Sequence, residues 1–182
     1  LLSHAPWRVQ SFIILTDAFQ PEGVTRLFQD SVFMMPHLGV LSTVYPEAAW
    51  QIFDKDCLVR LGTVIAPKGI SKEGEEVMSV ELEMPDGETL KEKVKFGEIK
   101  RINLADRQEA KAVIVLHKGF DVGGGSGHKL EKTVMGGVVG IVLDGRGRPL
   151  QLPKDEKARK DLLLNWFHAL NLYPEEELKE LI

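Results

Sequence analysis

Gly136-Gly137-Val138-Val139-Gly140-Ile141-Val142-Leu143-Asp144-Gly145-Arg146-Gly147-Arg148-Pro149 is the stretch from which the architecture follows. The apolar run around Gly140 lacks polar alternation, which is the pattern of a strand buried on both faces. Asp144-Gly145 offers residue types that adopt the positive φ of a short hairpin turn. Arg146 and Arg148 lie two apart, so in extended chain they share a side. Two readings of these arginines stay open: turn residues that are solvated or paired with nearby carboxylates, or contacts to an anion or a partner.

A strand buried on both faces needs neighbours. Short apolar runs at 59–65, 77–84, 89–96, 99–104, 110–116 and 132–135, together with 138–143, predict a small all-β unit, a barrel or a sandwich. Val80, Leu82 and Met84 alternate with Glu81 and Glu83, and Pro85-Asp86-Gly87 is a turn signal between two of the runs. Residues 68–76 read as a polar hairpin loop or a mobile tip.

Before this unit the pattern is helical. Val9, Phe12, Ile13, Thr16 and Phe19 recur at three- and four-residue spacing behind Pro6, and Pro21-Glu22-Gly23 ends the helix. A short strand at 24–28 follows. Pro36 then opens a second helical stretch with Leu38, Leu41, Tyr45, Ala48, Ala49, Ile52 and Phe53 on one face, which Pro46 kinks or restarts. A lone strand between helices has no sheet to join, so missing upstream sequence or a partner chain is the expected remedy. The opening Leu1-Leu2-Ser3-His4 without a methionine fits a processed protein or a piece of a longer one, and the second is expected. At the other end Asp155 caps a helix striped by Leu162, Leu163, Trp166, Phe167 and Leu170, and Pro174 opens a last short helix carrying Leu178, Leu181 and Ile182.

The expected fold class is therefore α+β. Residues 1–57 form a helix-strand-helix part and 58–153 a β-barrel or sandwich module, and the helices of 154–182 pack on that module or on the N-terminal helices.

With 43% hydrophobic residues in 182, the composition excludes a disordered or fibrous chain. No apolar run approaches the roughly 20 residues that cross a bilayer, and no secretory leader pattern opens the chain, so no membrane partner and a cytoplasmic location are expected. A net charge of -4 with dispersed basic residues disfavours nucleic acid. Cys57 is the only cysteine, which leaves no internal disulfide and makes it a structural thiol.

The glycine run Phe120-Asp121-Val122-Gly123-Gly124-Gly125-Ser126-Gly127-His128-Lys129 invites a phosphate-loop reading that its spacing does not support. No Gly-Lys-Ser/Thr opens a helix, and the third glycine of a dinucleotide fingerprint is replaced by His128. What remains is a hairpin loop, or a backbone nest for an anion with Asp121, Gly123, Gly125 and His128 as contacts. The histidines at 4, 37, 117, 128 and 168 show no helical i, i+4 pair, so no metal is expected. Ser3-His4 and Ser126 with His128 lack an orienting acid, and no nucleophile elbow is present. No catalytic residue is assigned. Met34-Met35 and Trp166-Phe167 read as core.

Four segments, 17–25, 34–42, 56–63 and 136–149, taken together resemble the C-terminal part of the glutamate mutase accessory L family (GlmL/MutL type, unrelated to the mismatch-repair protein of similar name). Members of that family are similar to actin-like ATPases and are linked to adenosylcobalamin-dependent mutases and aminomutases. The resemblance implies that 1–57 is the closing part of an ATPase lobe, with Ser3 and His4 near the nucleotide. It also implies a chaperone-like role in reactivating a cobalamin-dependent mutase subunit. ATP and magnesium would then belong to the parent protein, with no cofactor in this chain. The contact residues would be Asp144, Arg146, Arg148 and the 121–128 loop. Two alternatives stay open: an anion or small-molecule binding domain using that loop, and a structural domain forming homo-oligomers through its N-terminal elements.

Overall fold

The computed structural model describes residues 4–174 and 176. Helix α1 (Arg8–Phe19) leads into strand β1 (Gly23–Asp30). Two short helices, α2 (Met35–Leu41) and α3 (Pro46–Ile52), and a π-helical turn (Phe53–Cys57) carry the chain to β2 (Leu58–Ala66). The strands β3 (Glu76–Glu83), β4 (Thr89–Lys95), β5 (Ile99–Ile102), β6 (Glu109–Leu116), β7 (Lys129–Met135) and β8 (Gly140–Asp144) follow, and helix α4 (Glu156–Leu170) comes last. The fold is mixed α+β, as the sequence predicts.

The strands divide into two open four-stranded sheets, ordered β1-β2-β8-β5 and β4-β3-β6-β7. No barrel closes, because no ladder joins an edge of one sheet to an edge of the other. The sheets instead share a core: Ile65, Ile102, Ile141 and Leu143 of the first pack with Val80, Leu82, Ile114 and Val134 of the second. On its other face the first sheet presents Leu61, Val64 and Val142 to Phe12 and Ile13 of α1 and to Trp166 and Leu170 of α4. The order of layers is helices, sheet, sheet. Every residue of β8 is buried, as the unbroken apolar run requires for a strand with a layer on each side.

The ladders are antiparallel except β2 with β8, which run parallel with Gly62 opposite Gly140. That pairing depends on two glycines: a Cβ on Gly62 would stand 1.9 Å from the Gly140 carbonyl oxygen, and both residues have positive φ, 140° and 98°.

Strand β1 finds its sheet inside the chain. It pairs antiparallel with β2 from Gly23 opposite Ala66 to Asp30 opposite Leu58, with Leu61 the unpaired bulge residue. The ladder crosses the boundary drawn at residue 57/58, and neither missing sequence nor a partner chain is needed to pair this strand. Pro46 restarts the helix rather than kinking it, so α2 and α3 are separate seven-residue helices. Each is too short to bury a full face; their core is Leu38 and Ala49 with Cys57. Tyr45, Ala48 and Ile52 are therefore exposed, contrary to the apolar-face reading, as are Met35, which reads as core in the sequence, and Phe19 of the α1 stripe at 75%. Asp155 caps α4 by accepting from the Ala158 amide at 2.8 Å. Ser3 and the last short helix expected after Pro174 with Leu178, Leu181 and Ile182 lie outside the described residues.

Candidate interaction site

The segment after β8 does not turn back as a hairpin. Positive φ falls on Gly147 at 90° and not on Gly145, and the chain crosses to an isolated bridge between Arg148 and Gly69. Asp144, Arg146 and Arg148 are 1%, 3% and 2% exposed. Both arginines converge on Asp144. Arg146 donates from Nε to Oδ1 at 3.0 Å and from Nη2 to Oδ2 at 2.9 Å, and Arg148 donates from Nη2 to Oδ2 at 2.7 Å. Arg146 Nη2 also donates to Asp17 of α1 at 2.7 Å, and Arg148 Nε to the Pro21 carbonyl at 3.2 Å.

Arg146 Nη1 makes no hydrogen bond with the described residues. The guanidinium lies over Trp166 of α4, its carbon 4.7 Å from the ring centroid, while the indole N–H donates to the Gly97 carbonyl at 2.8 Å. Burial opposes the charge of Asp144, yet the Arg146 and then the Arg148 guanidinium hold its carboxyl below the ordinary value. Burial likewise opposes the charge of Arg146, and Asp144, followed by Asp17, raises its pKa.

This cluster ties α1, β8 and α4 to one point. The carboxylate-paired reading of the arginines is the one the geometry follows. With side chains 0–1% exposed, neither arginine offers its charge to a partner in this conformation, and reversing both charges would leave the buried Asp144 facing two like charges.

The glycine loop also turns inward on itself. Asp121 Oδ1 accepts from the amides of Gly123 at 2.7 Å and Gly125 at 2.9 Å. These bonds hold the Asp121 carboxyl below the ordinary range. The amides that would cradle an anion are already given to a carboxylate of the same loop. Ser126 Oγ accepts from the Gly119 amide, and His128 Nδ1 sits 3.0 Å from the Ser126 carbonyl oxygen instead of its hydroxyl. The pair is not arranged as nucleophile and base. His4 stacks on Phe33, ring centroids 6.1 Å apart.

Among the described residues no group of three or more His, Cys, Asp or Glu is placed to hold a metal ion. No described helix is long and apolar enough to cross a membrane. Cys57 is buried, and burial followed by the charges of Asp30 and Asp56 pushes its thiol pKa up.

The exposed apolar surface lies elsewhere. Along α2, α3 and their link, Val40 (73%), Val44, Tyr45 and Trp50 (62%) face solvent. Asp30 fixes the start of this segment by accepting from the amides of Val32, Met34 and Met35. Burial opposes its charge, but these backbone bonds prevail and lower its pKa. Beneath Trp50 a pocket of about 460 Å³ opens between α3 and the β1–β2 ladder, floored by Phe28, Met35, Phe53, Leu58 and Met135. A second groove of about 780 Å³ runs between the β4–β5 turn and α4, where Lys100 pairs with Glu92.

Sequence reasoning did not find Asp17 as a partner of Arg146 or the pocket under Trp50. The first pairing spans 129 residues, and the second joins residues from β1, α3 and β7; no local pattern encodes either. The chain matches no protein-family model, no curated protein and no solved structure.

Proposed function

We propose that this chain is a non-catalytic partner-recognition module, the C-terminal part of a cytoplasmic ATPase that reactivates adenosylcobalamin-dependent mutases of the glutamate mutase or aminomutase type. The resemblance to the GlmL/MutL-type family supplies the partner class. The observation that supports recognition is the set of large apolar side chains exposed on α2 and α3, on a braced two-sheet platform. Contiguous exposed apolar surface marks interaction sites in soluble proteins. In this reading ATP and magnesium belong to the ATPase portion of the parent protein, and the chemistry is not performed by the residues described here.

The anion-loop alternative is weakened because the Gly123 and Gly125 amides already serve Asp121. Self-association through the N-terminal elements would use the same apolar surface as a mutase. Titrating the chain into a cobalamin-dependent mutase from the same source by calorimetry, with and without adenosylcobalamin, tests the proposal. Binding that Trp50→Glu abolishes supports it. No binding by the unaltered chain sinks it, and concentration-dependent growth in mass by light scattering favours the oligomer instead.

A further inference from the structure

Strand β1 is an edge of the first sheet, eight residues long, with β2 as its only ladder partner among the described residues. Its sequence carries no proline or lysine, the residues that commonly guard such edges against pairing with another chain. Successive residues of a strand point to opposite faces, so Arg26 and Phe28 stand on one face two residues apart. Both line the pocket under Trp50.

The charges around that pocket are unequal in their commitments. Asp30 accepts from three backbone amides at the start of α2. Arg60 and Asp54 pair with each other. Arg26 is exposed and has no ion-pair or hydrogen-bond partner among the described residues. The pocket thus combines an aromatic and methionine floor, one available cation at its rim, and beside it a strand edge that no described strand pairs.

We propose that β1 receives an added strand from a protein partner: an extended segment with an acidic side chain two positions from a large apolar one. The apolar residue fills the pocket bounded by Phe28, Trp50 and Phe53, the acidic residue meets Arg26, and the backbone pairs with the β1 edge. The period of two matches on both sides, because cross-strand neighbours share a face. An amphipathic helix in the same pocket would leave the edge of β1 unpaired, and a small carboxylate would use Arg26 and the floor alone. This inference deepens the partner-recognition reading by naming where and how a partner docks.

Short blocked peptides of the length of β1, alternating valine and threonine, would be titrated by fluorescence anisotropy against the unaltered chain. One set carries glutamate two positions from leucine in both sequence orders; two further sets replace the glutamate by lysine or the leucine by alanine. The glutamate-leucine peptides are expected to bind and to lose about tenfold or more in affinity with either replacement. Arg26→Glu should reverse the preference towards the lysine peptide, and Trp50→Ala should weaken both. Both side chains are exposed, and circular dichroism checks that each variant keeps the fold. Hydrogen exchange of the β1 amides should slow on binding. Equal affinity for the glutamate and lysine peptides, no binding at millimolar peptide, or binding without slower exchange in β1 overturns the proposal. If the mutase binds by calorimetry and Arg26→Glu leaves that affinity unchanged, strand addition fails while the recognition reading stands.

Discussion

Arg146 and Asp17 are joined by a 2.7 Å charge-assisted hydrogen bond across 129 residues of sequence. Asp17 lies in the last turn of α1, and Arg146 follows the central strand β8. The same guanidinium is bound to Asp144 and lies over Trp166, so one side chain fixes the helix layer to the sheet.

Arg146→Met should cost about 3 kcal/mol or more, because it removes one of the two cations compensating the buried Asp144. Urea unfolding checks this. Arg148→Met should also destabilise, and the double variant should cost less than the sum of the two, since both act through one carboxylate.

The acid limb of stability should depend on Asp144. Its carboxyl pKa is lower in the folded chain than the roughly 3.9 of an unfolded one, so the stabilising contribution is complete above that value and is lost as pH falls through the folded value. Thermal melts from pH 7 down to pH 3 should show a decline that is shallower in Asp144→Asn, a variant already less stable at pH 7.

Trp166→Ala should destabilise by about 3–5 kcal/mol through the cavity and the lost face beneath Arg146. Trp166→Phe should recover most of this while leaving the Gly97 carbonyl unbonded. Comparing the two by denaturant titration separates ring packing from the hydrogen bond.

Gly62→Ala should fail to give folded protein, because the new Cβ meets the Gly140 carbonyl oxygen at 1.9 Å in the β2–β8 ladder. Gly124→Ala, with nothing within 4 Å of its Cβ, should melt like the unaltered chain. Yield and melting temperature distinguish the pair.

Asp121→Ala should release the Gly123 and Gly125 amides and speed their hydrogen exchange by about tenfold, with little change in melting temperature. Unchanged exchange would mean that the loop is held by something other than the carboxylate.

The sequence by itself determined the local elements: the doubly buried β8 from its unbroken apolar run, the β3 alternation, the Asp155 cap of α4 and the buried Trp166. These are properties of neighbours in the chain, where periodicity and capping act. Tertiary structure alone decided that β1 joins β2, that the strands part into two open sheets, and that Arg146 and Arg148 are enclosed in place of facing a partner. The exposed pocket beside Arg26 was also decided there. An arginine two residues beyond a strand carries the same local pattern whether it meets water or a carboxylate, and only the arrival of α1 and α4 on that face removed the water.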